Sequence, residues 1–347
     1  MSARHIAGAT GPPDGDYAAD VVILSLDRPD ETAAAIRSAL AQRDVSRHVF
    51  IVDQGSRPDA LRRLATEVAG REDATLVALD RNHGVAGGRN RGSALGHGRV
   101  IFGLDNDAEF ADAATLASAV AALDEDPTLA AVGCRILHHA CDADDLSSWG
   151  YPASLLPRAG DCFDTVTFVG AGHAIRRDAW DGYDDALFFC WEEFDFCLRA
   201  IARGWRIRYR GDIAVRHKVC AEQRFTWSGT RWFHFVRNRI YIERKWGTGW
   251  WRLSPRIAFY LLRGTRNHLL TQTLHALAAA VRLSSGLTGR RLSPAAHRYV
   301  RINDAAHRDH WITTIWQACR DGFAHHRADA ASRSRSSIGR IEGLSIR

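Results

Sequence analysis

Lysine is almost missing from this chain: Lys218 and Lys245 are the only two in 347 residues. Methionine occurs once, at the first position. No two cysteines have the C-x-x-C spacing, and the seven present (Cys134, Cys141, Cys162, Cys190, Cys197, Cys220, Cys319) are an odd, scattered set. A structural zinc site or a disulfide framework is therefore not expected. No stretch reaches the roughly 20 apolar residues that span a bilayer, because the most apolar one, 269–283, is broken by Thr271, Gln272, His275 and Arg282. Residues 1–16 are rich in Gly, Ala and Pro and lack an apolar core of signal-peptide length. We expect a soluble protein of a reducing cytoplasm. Also missing are a G-x-G-x-x-G turn after the first strand and the P-loop lysine motif, which disfavours both of those nucleotide sites.

What is present is ordinary globular material, 46% hydrophobic and 25% charged, which excludes a disordered or fibrous chain. The formal charge of +6 is carried by arginine. Arginine in such excess suits bidentate recognition of carboxylate or phosphate, and it equally records a GC-rich coding sequence. Arginines and acids are interspersed over 20–200, so there is no nucleic-acid footprint.

Short apolar runs at 21–24, 49–52, 75–79 and 100–104 alternate with helical patterns at about 30–42, 59–68 and 87–95. Continuous apolar runs mean strands buried on both faces, hence an α/β fold with a mostly parallel sheet sandwiched by helices. Ligands of such sheets sit beyond the carboxyl ends of the strands. There the chain has Ser25-Leu26-Asp27-Arg28, Asp53-Gln54-Gly55-Ser56 and Asp105-Asn106-Asp107. One Asp after a strand is a turn residue or cap. Several on one edge repel, and a cation or the N–H groups of a nucleobase would relieve them. In an extended segment, residues two apart face the same way. Asp105 and Asp107 can thus share a hard divalent ion such as Mg or Mn, with diphosphate oxygens completing its shell. The Gly-rich turn at 82–92 leads into a helix and admits a phosphate to the backbone.

Residues 124–165 read as an irregular acidic stretch, with Asp142, Asp144 and Asp145 in a loop. A strand is expected at 166–169, running into Gly170-Ala171-Gly172. A helix over 192–203 opens on Trp191-Glu192-Glu193 and stops at Gly204. Asp195 and Arg199 form an i,i+4 pair. Two adjacent glutamates exceed what capping needs, and a carboxylate beside a bound hydroxyl can act as general base. Short strands at 205–209 and 213–215 end near His217. Beyond about 221, aromatics such as Trp232, Trp246, Trp250 and Trp251 interleave with arginines along helical patterns reaching about 324.

The ordered series Val21-Val22-Ile23-Leu24-Ser25-Leu26-Asp27, Ile51-Val52-Asp53, Asn82-x-Gly84 with Gly88-Arg89-Asn90, Leu104-Asp105-Asn106-Asp107, Gly170-Ala171-Gly172 and Glu192-Glu193-x-Asp195 closely resembles glycosyltransferase family 2. The branch suggested is the one containing rhamnosyl- and galactofuranosyltransferases, and the resemblance covers about 20–218. It implies a GT-A fold and inverting transfer from a UDP-, dTDP- or GDP-linked sugar to a hydroxyl acceptor, whether glycolipid, polysaccharide or small metabolite. On that resemblance Ser25, Leu26, Asp27 and Asp53 hold the base, and Asp105 the ribose side, with Asn106 also counted in the nucleotide-sugar site. Asn82, Gly88 and Arg89 complete the nucleotide-sugar site. Asp107, with Asp105 and His217, binds Mg or Mn. Gly170, Ala171, Gly172 and Trp191 face the acceptor, and Glu193, or its neighbour Glu192, is the base. The chain departs from the family where Leu24-Ser25-Leu26-Asp27 replaces Pro-Thr-Tyr-Asn, which removes a stacking aromatic, and where Glu192-Glu193 replaces Glu-Asp.

The expected organisation is a flexible leader (1–18), a GT-A catalytic domain (19–224), a helical extension (225–326) and a disordered tail (327–347). The extension has three open uses: acceptor cover, homodimer contact, or docking on a membrane surface. Two other functions fit the same residues less well, a sugar-nucleotide-binding protein without catalysis and a sugar-phosphate nucleotidyltransferase.

Overall fold

A computed structural model describes residues 3–218 and 228–303. One mixed sheet runs through the molecule. Its strands are β1 (Arg4–Gly8), β2 (Ala19–Ser25), β3 (Arg47–Asp53), β4 (Ala74–Ala78), β5 (Val100–Leu104), β6 (Ala108–Phe110), β7 (Leu129–His138), β8 (Cys162–Thr165), β9 (Gly172–Arg176) and β10 (Arg206–His217). The spatial order is β1-β4-β3-β2-β5-β9-β7-β10-β6, with β8 beside β10. The parallel part expected from the apolar runs is β4-β3-β2-β5. The central strand β9 enters antiparallel to both β5 and β7. Its N-terminus therefore lies at the same edge as the carboxyl ends of β2, β3 and β5.

The helices α1 (Pro29–Leu40), α2 (Pro58–Val68), α3 (Gly84–Ser93), α4 (Thr115–Glu125) and α5 (Glu192–Ala202) cover the sheet. Proline in the first turn of α1 and of α2, followed by acids, suits a helix start, where backbone N–H groups are unpaired and the dipole favours negative charge. Ile36, Leu64 and Leu116 pack one face of the sheet, and Phe196, Leu198 and Ile201 of α5 pack the other. Beyond β10 the chain forms α6 (Gly229–Lys245), α7 (Trp250–Arg266), α8 (Leu270–Ser284) and α9 (Pro294–Asn303). The first three share a small core of Trp232, Val236, Ile240, Leu253, Tyr260, Ala276 and Ala280.

Four expectations need correction. The first eighteen residues are not a loose leader: β1 pairs antiparallel with β4, Arg4 opposite Ala78, because the open edge of β4 offers unpaired backbone groups. The stretch 124–165 contains β7, a ten-residue strand in the middle of the sheet. No strand forms at 166–169; the neighbouring segments form β8, paired with β10, and β9, paired with β5 and β7. The two short strands before His217 are one long strand, β10, with a register shift between Arg210 and Ala214. The expected tail, and the extension beyond 303, lie outside the described residues.

One buried ionic cluster ties the extension to the catalytic half. Lys245 at the end of α6 donates to Asp184 at 2.7 Å and to the fully buried Asp195 at 2.9 Å, and Arg199 adds a second cation at 3.0 Å from Asp195. Asp195 is thus a structural acid. Lys245→Ala leaves the two carboxylates short of a cation, and we expect a loss of about 3 kcal/mol, read as a lower urea midpoint with unchanged slope. An unchanged midpoint would show that the cluster contributes nothing.

Candidate active site

The carboxyl ends of β2, β3 and β5, the entry to β9 and the start of α5 enclose a cleft of about 850 Å³. Asp105, Asn106 and Asp107 follow β5 on its floor. They form a turn, with the Ala108 amide donating to the Asp105 carbonyl at 3.0 Å, rather than the extended segment expected. The two carboxylates meet because the turn folds them together. β6 then pairs with β10 so that His217 stands opposite Ala108, which brings the imidazole to Asp107. Ligand atoms of Asp105, Asp107 and His217 all lie within 4.8 Å of one another. Two carboxylates and an imidazole at that spacing suit a divalent ion of the Mg or Mn type.

Each member of this group is fixed by a neighbour. His217 Nε2 lies 3.1 Å from Asp107, and its Nδ1 lies 3.4 Å from the buried Asp145. Burial opposes the imidazolium, but the flanking carboxylates prevail and raise His217 to about 9. Burial would raise Asp107, yet His217 and the Arg28 guanidinium at 2.7 Å hold it below the ordinary range. Asp105 accepts from Arg89 at 2.9 Å. Arg89 was expected on the nucleotide; it is instead buried beneath the cleft, also donating to the Val22 carbonyl of β2. Asn106 turns its amide toward Thr32 of α1 at 3.3 Å.

The expected base-binding residues divide in two. Ser25 and Leu26 line the cleft. Asp53, opposite Ser25 in the sheet, is buried: one oxygen takes the amides of Gly55 and Ser56, both at 3.1 Å. Its other oxygen and the Ser25 hydroxyl have no partner among the described residues. Asp27 is not in the cleft wall; it takes the Arg57 amide at 2.8 Å and joins two loops. Asn82 lines the cleft and accepts from the Gly84 amide at 2.7 Å. Gly88 stands outside it, where a Cβ would meet Gln54 at 2.9 Å. Gln54, passed over in the sequence, does line the cleft.

Glu192 and Glu193 begin α5 on the opposite wall. A Cβ at Gly170 would stand 2.3 Å from a Glu193 carboxylate oxygen, so a side chain there would push that carboxylate aside. Ala171 and Trp191 also line the cleft, whereas Gly172 is inside the sheet opposite Leu104. Burial pushes Glu193 up to about 7, with the Asp105 charge adding to it. Glu192 is buried more completely and beside Glu193, so it lies well above the usual carboxylate range. Both are thus pushed toward the protonated form, Glu192 by burial and by the charge of its neighbour, and Glu193 to about 7.

The loop that presents them is strained. Phe188, Cys190 and Trp191 have positive φ values of 60°, 71° and 74°, a conformation costly for side-chain-bearing residues. Asn238 of α6, fully buried, lies 2.8 Å from each of the carbonyls of Leu187, Phe189 and Cys190, and its amide hydrogens are shared among them. Arg237 donates to the Ala186 and Leu187 carbonyls. We expect Asn238→Ala to cost about 2 kcal/mol and to speed amide exchange across 187–193 while the sheet stays protected. Unchanged exchange there would show that the loop holds itself.

Known proteins share this architecture. Residues 20–183 match the model of glycosyl transferase family 2. Over 98 residues the chain is 40% identical to the succinoglycan biosynthesis protein ExoO of Rhizobium meliloti (strain 1021), a match covering 28% of this chain and 28% of that protein. The mannosyltransferase PcManGT from Pyrobaculum calidifontis, solved with GDP-Man and Mn2+, superposes with a TM-score of 0.50 at 20% identity over 88% of this chain and 85% of that one. S. aureus TarS 1–349 gives 0.51 at 15% identity over 77% and 81%. GalNAc-T7 with UDP, GalNAc and Mn2+ gives 0.52 at 15% identity over 80% and 60%. At these identities the solved structures establish the fold, the GT-A arrangement of a sheet between helices. Residues 20–183, a little under half of the chain, thus carry the match to glycosyl transferase family 2.

Proposed function

We propose that this chain transfers a sugar from a nucleoside-diphosphate donor to a hydroxyl acceptor, with inversion at the anomeric carbon. The observation that carries the reading is the placement across one cleft of Asp105, Asp107 and His217 opposite the carboxylate of Glu193. Asp105, Asp107 and His217 would hold Mg or Mn, and an ion there supplies positive charge to the departing diphosphate. The Mn2+ in the PcManGT and GalNAc-T7 structures supports manganese. Ser25 and Asp53, with buried unpartnered oxygens at the strand ends, suit the N–H groups of a base. Leu26 offers an apolar surface beside them.

Glu193 takes the proton of the acceptor hydroxyl as its oxygen attacks the anomeric carbon. The bond to the diphosphate breaks as the new glycosidic bond forms, and the nucleoside diphosphate leaves. Trp191, Phe189 and Phe235 form an aromatic side of the cleft, which suits the faces of sugar rings. ExoO's place in succinoglycan biosynthesis supports a saccharide acceptor. The nucleoside-diphosphate donor supports a cytoplasmic site of action.

The glutamates separate in experiment. Glu193→Gln should lower kcat by about 10²–10⁴-fold with little change in donor affinity. Glu192→Gln, which keeps the size of a more deeply buried side chain, should remain near wild type. Equal losses in both would overturn the assignment of the base. Glu193 must be ionised to accept the proton, so wild-type kcat/KM should rise with pH through about 7 and then level; a flat profile would contradict it. Donor binding without turnover under every acceptor tried would indicate a sugar-nucleotide-binding protein. Pyrophosphate release from a nucleoside triphosphate and a sugar phosphate would indicate a nucleotidyltransferase.

A further inference from the structure

The helical extension carries a surface that sugar transfer does not use. Leu253, Tyr260 and Gly264 face inward on α7, with Tyr260 packed on the rings of Trp232 and Phe235. On the opposite side Trp251, Pro255, Ala258 and Leu262 follow at i, i+4, i+7 and i+11, and all are exposed, Trp251 by 74% and Leu262 by 54%. The neighbouring α8 repeats the pattern. Thr273, Ala276, Ala280 and Ser284 are buried, while Leu270, Leu274, Ala278 and Val281 face out. Leu274 and Val281 are each 52% exposed. Scattered apolar residues on a surface need no explanation, but two adjacent helices with continuous outward stripes do.

The charge around these stripes has one sign. From Arg244 to Asn303 the chain has no Asp or Glu, and eleven Lys and Arg. Arg252, Arg282, Arg298 and Arg301 are among the exposed ones. Arg252 lies 4.9 Å from the Trp251 ring centre, and Arg244 lies 4.7 Å from that of Trp250.

We propose that the outer faces of α7 and α8 dock on an anionic lipid surface and lie in its plane. Among the described residues no helix is long and apolar enough to cross a membrane, so the contact is peripheral. An anionic bilayer supplies both things the face asks for. Its headgroups answer the arginines, and the boundary below takes Trp251, Leu262, Leu274 and Val281. Other occupants fit less well. A second copy would bring the same acid-free surface against itself. Residues 304–347 hold seven arginines against five acids, so they too have the wrong sign. The docked surface communicates with the cleft through α6, whose Trp232 packs toward α7 and α8 while its Phe235 lines the cleft.

Flotation of the full-length chain with vesicles tests this. The chain should rise with phosphatidylcholine vesicles containing phosphatidylglycerol, bind pure phosphatidylcholine at least about tenfold more weakly, and be released by salt. Trp251→Ser combined with Leu262→Ser should weaken binding at least about tenfold without lowering the melting temperature, both side chains being exposed. Glu193→Gln should float like wild type, which separates this contact from the catalytic reading. Three outcomes would overturn it. The wild type could fail to rise with anionic vesicles, as it would if the partner were an acidic protein. The double variant could rise like wild type. Sedimentation could reveal a dimer that the double variant dissolves.

Discussion

The structure depends on how it manages negative charge gathered at one sheet edge. Asp105, Asp107, Glu192 and Glu193 line a single cleft, with Asp145 behind His217, and among the described residues they are unequally paired with cations. Arg89 is spent beneath Asp105, Arg28 and His217 on Asp107. Among the described residues the glutamates have no ion pair, and burial outweighs the nearby Arg89 charge, so they hold protons more tightly than a free carboxylate would. One chemical type thereby acquires distinct electrostatic environments: carboxylates held as anions beside cations, and buried glutamates raised toward their protonated form.

Position follows from the same edge. β9 runs against the parallel strands, so Gly170 and Ala171 arrive beside the ends of β2 and β5 instead of at the far side of the sheet. Arg89 connects Asp105 to the carbonyl of Val22, which makes the acid's location a property of the sheet rather than of a loop. The glutamates have no such anchor of their own. Their loop is held from outside by Asn238 and Arg237, and their helix by Lys245, all three on α6. The helical extension is therefore part of what shapes the catalytic half.

Much of this was legible in the sequence. Strands buried on both faces wrote themselves as apolar runs, so β2, β3, β4 and β5 were placed within two residues. The acids after them followed from the geometry of parallel sheets. β7 was hidden because Leu129–His138 sits in an acidic setting and holds a glycine and an arginine in mid-strand. β1 has no apolar run at all; it forms because an open edge is available. Asp145 and Asn238 carry no local signal, since each matters only through a partner 72 residues or about 50 residues away. The turn at Asp105–Asp107 was mistaken for extended chain, yet the two carboxylates meet either way.

The central claim is that this edge is a metal and diphosphate site facing a carboxylate base. Its most direct measurement is anomalous diffraction at the manganese absorption edge from crystals grown with Mn2+ and a nucleoside diphosphate. The account predicts one strong peak bounded by Asp105, Asp107 and His217, with diphosphate oxygens against it. A peak elsewhere, or an ordered nucleotide with no anomalous signal beside those three residues, would contradict it.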